Sequence, residues 1–198
     1  MRHHVSYTPG TGLGVLALHA GIEAGTGELA HEIGRTHGCT SLVVRQAGTT
    51  LDHHRPSHHY TADRVPEMGS YLAQVRFSLS LHGHNRRTRA IYLGGRNRTE
   101  AYQLAGVLRP ALPDWDLVDQ LSEIPDGLRG VNPANPVNMS EAGGVQVEIP
   151  ISLLGWLQNR DGTWDFHDGT VDPRLRAALL SFTRSLLLRE VAPLTDGR

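Results

Sequence analysis

The sequence has no lysine and a single cysteine, Cys39. All 19 basic side chains are therefore arginines, and together with 20 acidic side chains they give a formal net charge of −1. A nearly neutral chain without a basic tail argues against a dedicated nucleic-acid binder, because such proteins concentrate positive charge on one face. A lone cysteine excludes an internal disulfide, so the fold must be stabilised by its hydrophobic core.

Long hydrophobic runs are also missing. No segment approaches the roughly 20 apolar residues that a membrane-spanning helix needs, and residues 1–10 carry histidines in place of the apolar segment of a secretory signal. We therefore expect a protein that makes no membrane contact and is made in the cytoplasm, with residues 1–10 flexible. The sequence leaves the oligomeric state open.

The remaining composition is that of a globular protein. With 198 residues, 39 % of them hydrophobic, the chain can bury one good core, which predicts a single domain over residues 1–198. Short apolar or alternating segments predict strands at 15–18, 41–45, 77–82, 90–93 and 144–149. Helices are predicted at 26–37, 67–74, 99–108 and from Pro173 onward, and loops at 111–140 and 156–171. Strands that alternate with helices are typical of an α/β fold.

The first predicted strand ends at His19, and a turn with small residues then carries Glu23 before the helix that Thr26 is expected to cap. Open α/β sheets bind ligands beyond the carboxyl ends of their strands. An imidazole and a carboxylate four residues apart can supply two of the three protein ligands of a catalytic zinc. The alternative is a hydrogen-bonded histidine at a strand end and an acid that flanks a helix.

A second predicted strand also ends in a histidine followed by a glycine, at His82. Two such strands place both imidazoles over one edge of the sheet, and this repetition is the strongest internal signal for a metal site. Four more histidines occur as pairs in the polar segment 46–63: His53, His54, His58 and His59. The side chains of adjacent histidines point in diverging directions. Such pairs are therefore more often solvated than bound to a metal.

Glu148 lies on a strand whose side chains alternate, with Gln146 and Glu148 on one face and valines on the other. It is either a residue of the polar face or, if that face meets a metal, a general base. The arginines between residues 86 and 98 form either a solvated face or an electropositive approach for an anionic substrate.

Residues 19–30 resemble the motif His-Gly-Gly-x-Ile-Glu-x-Gly-Thr-Ser-Glu-Leu-Ala of the phage and bacterial poly-γ-glutamate hydrolase family. Further similarity occurs in order along the chain at 81–83, 92–95, 135–138 and 144–148, so the resemblance spans roughly residues 13–190. The segment between His19 and Glu23 is one residue shorter than in the family pattern.

The resemblance implies a zinc-carboxypeptidase-like α/β fold, with a mixed, mostly parallel sheet flanked by helices. It implies His19, Glu23 and His82 as zinc ligands and Glu148 as the base that deprotonates the attacking water. The substrate would be an anionic polymer or peptide that is cut at γ-glutamyl amide bonds. Its binding residues are expected to be Arg96, Arg129 and Asn138, and a phage-encoded enzyme would act outside the host after lysis.

Two other functions are consistent with the same residues. One is a zinc amidase or deacylase of the same fold that acts on a different amide. The other is a non-catalytic binding module whose zinc is absent or structural. Closed coordination by a fourth protein ligand, such as His84 or His58, would favour the binding module, because structural zinc sites leave no open position.

Overall fold

The computed structural model describes residues 3–46, 54–86, 88–166 and 170–191. Its strands are β1 His3–Thr8, β2 Thr11–Ala17, β3 Cys39–Gln46, β4 Phe77–His84, β5 Ala90–Gly94, β6 Asp116–Val118, β7 Gly144–Pro150, β8 Trp156–Gln158 and β9 Trp164–Phe166. Its α-helices are α1 Thr26–His37, α2 Pro66–Gln74, α3 Arg98–Ala111 and α4 Pro173–Val191, and short 3₁₀ turns lie at Ser57–His59, Asp126–Leu128, Pro136–Asn138 and Ile151–Leu154.

Seven of these strands form one sheet in the order β1-β3-β2-β4-β7-β5-β6. The central neighbours β3, β2, β4 and β7 run parallel to one another, whereas β1 and β5 pair antiparallel with β3 and β7. The expected mixed, mostly parallel sheet is therefore confirmed. Because β2, β4 and β7 point the same way, their carboxyl ends meet at one edge, which is where ligands bind in open α/β sheets.

Helices cover both faces of the sheet. The helices α1, α3 and α4 pack on one face, where Ile33, Leu104 and Phe182 join the core. The helix α2 packs on the other face, where Met68 and Tyr71 belong to a second cluster of buried hydrophobic residues. Among the described residues, no helix has the length and apolarity to cross a membrane.

The start of α1 shows how the turn before it is built. The N-cap is Gly25 rather than the expected Thr26, because the chain reverses there with a φ of 98° that favours glycine. Glu28 accepts a hydrogen bond from the Gly25 N–H at 3.0 Å, and the Thr26 hydroxyl donates to the Glu23 carbonyl at 2.7 Å. The turn that carries Glu23 is thus tied to the start of the helix.

Other expectations differ from the structure in local detail. We expected residues 1–10 to be flexible, but His3–Thr8 forms the edge strand β1, because Val5 and Tyr7 alternate with polar residues and pack on the second cluster. The segment 156–171 was expected to be a loop, and it contains the short hairpin β8–β9. The helix α3 continues through Pro110 to Ala111, three residues past its predicted end at Leu108.

Candidate metal centre

Three buried side chains converge at the carboxyl edge of the sheet. His19 follows β2, Glu23 lies in the turn before α1, and His82 lies in β4. One ligand atom from each residue lies within 4.8 Å of the other two. The structure therefore brings together all three residues that the sequence predicted as metal ligands.

The turn from His19 to Glu23 sets the first two ligands side by side. The Glu23 N–H donates to the His19 carbonyl at 2.8 Å, which closes a single helical turn. Side chains at positions i and i+4 of a helical turn lie on the same face, and Glu23 Oε1 lies 3.1 Å from His19 Nδ1. The other carboxylate oxygen accepts from the Gly83 N–H at 3.0 Å, so β4 also holds this side chain in place. The shorter segment between the two residues thus still brings Glu23 to the cluster.

Both histidines direct Nδ1 toward the centre of the cluster. Nε2 of His19 lies 2.8 Å from the carbonyl oxygen of Arg55, so in the neutral imidazole Nε2 carries the proton and Nδ1 keeps a lone pair for a metal. Nε2 of His82 lies 3.0 Å from Ser80 Oγ. The two Nδ1 atoms are 3.1 Å apart, and Glu23 faces both. Two imidazole nitrogens and a carboxylate, each oriented by a hydrogen bond at its far side, fit a zinc ion.

The cluster is charged although it is buried, with His19, Glu23 and His82 only 2 %, 8 % and 2 % exposed. Burial alone would raise the pKa of Glu23, but His19 and His82 outweigh it and hold this pKa well below the ordinary value. Burial by itself would lower the pKa of His19, but the charge of Glu23 and hydrogen bonds to Glu23 and Arg55 outweigh it, so the pKa of His19 is raised. The site therefore keeps a carboxylate ionised although its side chain is largely buried.

Glu148 lies beside the cluster on the neighbouring strand. The register of β4 and β7 pairs His82 with Glu148. Burial is the largest cause that raises the pKa of Glu148 to about 7, and the Glu23 charge adds to it, while His82, Gln146 and Arg86 oppose it. A carboxyl group with a pKa near neutrality can both accept and return a proton at physiological pH.

A chain of side-chain amides orients Glu148. Gln146 Nε2 donates to Glu148 Oε1 at 2.8 Å, and Asn135 Nδ2 donates to Gln146 Oε1 at 2.9 Å. Asn135 belongs to the segment 111–140, which was predicted to be a loop. Gln146 lies on the same face of β7 as Glu148. Sequence reasoning gave neither Asn135 nor Gln146 a role.

These groups form the floor of a cleft of about 770 Å³. One wall is formed by His54, Pro56, Ser57 and His58, and the other by residues of the loop 126–135. His54 leans over the floor from the first wall, with Nε2 at 3.9 Å from Glu23 Oε1 and its ring centroid at 4.5 Å from that of His19. No motif in the sequence had predicted that His54 lies close to Glu23 and His19. Its neighbour His53 lies outside the described residues.

The structure does not bring the three predicted substrate-binding residues to the cleft lining. Arg96 follows β5, which runs antiparallel to β7, so it lies toward the opposite edge of the sheet, and its N–H donates to Asn138 Oδ1. The Asn138 amide also donates to the carbonyls of Gly130 and Asn132, which holds the loop together. The Arg129 guanidinium pairs with Asp126 at 2.7 Å. Their role in substrate binding stays a prediction.

The structure does not place His84 or His58, the two candidates for a fourth ligand, in the cluster with His19, Glu23 and His82. His84 Nε2 lies 2.9 Å from the Ala90 carbonyl oxygen, and its ring packs beside Tyr92. His58 lines the cleft, and its ring contacts that of His59. Among the described residues, the group that could hold a metal ion consists of His19, Glu23 and His82, and the cleft lies above it.

A mixed α/β sheet that carries two histidines, a glutamate and an adjacent buried carboxyl group at its carboxyl edge has the arrangement of a metal-dependent hydrolase. The sequence model of the poly-gamma-glutamate hydrolase family matches residues 2–159, and the chain belongs to this family. The expected family membership is thus confirmed, and the chain is a hydrolase by family. No curated protein sequence matches the chain significantly.

Solved structures share the fold over nearly the whole chain. YNDL in its zinc-free form has a TM-score of 0.71 and 23 % identity, over 96 % of this chain and 91 % of that one. A bacteriophage poly-gamma-glutamate hydrolase has a TM-score of 0.67 and 20 % identity, over 95 % of this chain and 89 % of that one. A metallo-carboxypeptidase from Burkholderia cenocepacia is more distant, with a TM-score of 0.47 and 11 % identity over 92 % of this chain and 57 % of that one.

Proposed function

We propose that the protein is a zinc-dependent hydrolase of γ-glutamyl amide bonds in an anionic polymer, poly-γ-glutamate. The observation that carries this proposal is the buried cluster of His19, Glu23 and His82 beside Glu148, at the floor of an open cleft. The family name and the name of the phage relative support the choice of polymer.

The three buried side chains would hold the metal. His19 and His82 offer Nδ1, because their Nε2 atoms are engaged by the Arg55 carbonyl and by Ser80. Glu23 supplies a carboxylate that stays ionised between the two imidazoles. When bound, zinc supplies Lewis-acid polarisation of the amide carbonyl and lowers the pKa of water toward ~7.

Glu148 would act as the general base and then as the acid. Its carboxylate accepts the proton of the attacking water, and the carboxyl group then donates that proton to the leaving nitrogen. In the metal-free protein, burial raises the pKa of Glu148 to about 7, which is close to the pH at which both proton transfers would occur. The hydrogen bond from Gln146 occupies Oε1 and leaves Oε2 as the acceptor of the water proton.

An amidase or deacylase for an uncharged amide is the second candidate. The observation that favours it is the absence of arginine from the described residues that line the cleft, which include Asp126. A polyanionic substrate would then need cationic partners outside the cleft. A series of amide substrates with and without γ-linked glutamate separates the two functions.

The first experiment measures zinc content and cleavage together. Elemental analysis and a chain-length assay with poly-γ-glutamate are applied to the wild type, His82→Ala and the control His58→Ala, which changes a histidine of the cleft wall. We expect about one zinc per chain in the wild type and control. We expect His82→Ala to lose zinc and at least ~10³-fold in rate.

Two results would contradict the proposal. Zinc without cleavage of poly-γ-glutamate in the wild type would retain a metal-dependent hydrolase and move the substrate to other amides. A wild type that takes up no zinc, even when it is supplied in the buffer, would exclude the catalytic site as proposed.

A further inference from the structure

A second cavity, of about 550 Å³, lies next to the cleft at the same edge of the sheet. Its walls come from the segment that follows β4, from Trp115, from the 3₁₀ turn after β7 and from the tip of the β8–β9 hairpin. We call this cavity the arginine pocket, after Arg86, Arg89 and Arg160. The catalytic roles proposed above use none of these three side chains.

The arginines are the charged side chains among the described residues that line the arginine pocket. Neither an aspartate nor a glutamate is among its described lining residues. Arg86 and Arg160 are exposed, and the described part of the chain pairs neither guanidinium with a carboxylate. Two nearby acids of the hairpin are engaged elsewhere, because Asp161 accepts from Thr163 and Asp165 accepts from Asn159.

Arg89 is held in a fixed position in this pocket. Its Nε donates to the Asp114 carbonyl at 2.9 Å, and its guanidinium carbon lies 5.1 Å from the centre of the Trp115 ring. A guanidinium that stacks on an aromatic ring keeps its terminal nitrogens free to donate. Arg89 therefore provides a preorganised donor in the same pocket as two exposed arginine side chains.

The arginine pocket continues the cleft. Gly83 lines the cleft and the next residue, His84, lines the pocket. On the neighbouring strand, Pro150 of the pocket follows Glu148 of the cleft by two residues, which is about 7 Å of extended chain. Arg86 is close enough to lower the pKa of Glu148, which supports this proximity.

We propose that the arginine pocket is a carboxylate-binding subsite, which holds the part of an anionic chain that extends beyond the bond being cut. The inference rests on the proposed function for the identity of that chain. Guanidinium groups bind carboxylates through two parallel hydrogen bonds, which suits repeated carboxylates. A polymer that crosses the metal cluster finds no arginine in the described cleft lining and meets three in the adjoining pocket.

The test measures binding apart from catalysis. A fluorescently labelled, γ-linked glutamate decamer is titrated by anisotropy into zinc-loaded Glu148→Gln protein, which binds the chain with impaired cleavage. Arg86→Gln and Arg160→Gln are added singly and together, and Arg184→Gln on the exposed side of α4 is the matched control. We expect about fivefold weaker binding for each pocket variant and about 20-fold for the pair, because each removes a charge-assisted hydrogen bond.

A second readout separates binding from chemistry. With Glu148 intact, we expect the double variant to raise KM for the decamer by a larger factor than it changes kcat, because Arg86 acts on Glu148 only through its charge. Decamer affinity within twofold of the Arg184→Gln control, or no decamer binding at all, would overturn the subsite. If the wild type does not cut the polymer while the double variant still loses decamer binding, the subsite stands and the proposed function fails.

Discussion

The cleft and the arginine pocket lie side by side, yet they are built in opposite ways. The functional side chains of the cleft are buried, and their partners are other groups of the protein, as with Glu23 between two imidazoles and Glu148 beside Gln146. The arginines of the pocket are exposed, and Arg86 and Arg160 have no carboxylate partner in the described structure. The functional groups of one region are buried and preorganised, and the arginines of the other are exposed to solvent.

The difference matches two different tasks. Chemistry needs groups that are held within a few tenths of an ångström and whose pKa values are shifted by their surroundings. Retention of a long flexible polyanion needs charge within reach but not a single geometry, because successive carboxylates can exchange places. Changes in the buried region should therefore alter rate, stability and metal affinity, and changes in the exposed region should alter mainly the binding of long substrates.

The largest effect is expected for the base of the cleft. Glu148→Gln keeps the shape and the hydrogen bond to Gln146 but removes the proton acceptor. We expect kcat to fall by about 10²- to 10⁴-fold, with zinc content unchanged. Glu141→Gln, an exposed carboxyl group that pairs with Arg76, is the matched control and should retain full activity. Activity of Glu148→Gln within threefold of the wild type would show that another group takes the proton.

The second effect is on the stability of the metal-free protein. Burial raises the pKa of Glu148 to about 7 from an ordinary value of 4.5, so the unfolded state binds fewer protons between these pH values and is favoured as the pH rises. The resulting destabilisation is small at pH 5 and complete above pH 7. Glu148→Gln removes it, and we expect a gain of about 3 kcal/mol at pH 8 but only about 1 kcal/mol at pH 5.

Urea unfolding at both pH values measures this difference. The chelated protein is used throughout, since a bound cation would change the charge around Glu148. Glu141→Gln should show no such dependence on pH. An equal gain at pH 5 and pH 8 would indicate that the substitution acts through packing and not through ionisation.

A smaller effect is expected from the residue that orients one of the ligands. Ser80→Ala removes the contact at Nε2 of His82 and leaves the ring free to turn. We expect zinc to bind about 10-fold more weakly, as is typical for loss of such a partner. Ser78→Ala is the control on the same strand, where the hydroxyl bonds Tyr71 rather than a ligand, and its zinc affinity should equal that of the wild type. Competition with a chelator dye measures both.

The residues of the buried region could be predicted from the sequence because their signals are local. His19 and His82 each end or nearly end an apolar strand, and the alternation along β7 puts Glu148 on a face with polar residues. Parallel strands then bring their carboxyl ends together without further information. The same local patterns predicted most of the sheet and helices to within a few residues.

The exposed region could be predicted only in part. The arginines between residues 86 and 98, which include Arg86 and Arg89 of the pocket, were interpreted either as a solvated face or as an electropositive approach for an anionic substrate, but no local pattern selected Arg86 and Arg89 over Arg96. Arg96 follows an apolar strand and a glycine pair, as a site residue would, but β5 runs antiparallel to its neighbour and carries it toward the other edge. Strand direction is decided by tertiary packing and not by the local pattern. Arg160 joins Arg86 only because the β8–β9 hairpin folds back across the sheet edge, and its sequence had indicated a loop.

The smallest effect is the response of the two regions to salt. Exposed charges are screened over about 10 Å at 0.1 M salt and about 3 Å at 1 M, whereas buried pairs are screened much less. Between 50 and 500 mM NaCl, we expect decamer binding to weaken several-fold in the wild-type pocket and much less in the Arg86→Gln, Arg160→Gln double variant. Zinc retention at the buried cluster should stay constant over the same range. Equal salt dependence in both proteins would mean that the polymer is held by charges outside the arginine pocket, and the contrast between the two regions would then be one of exposure alone.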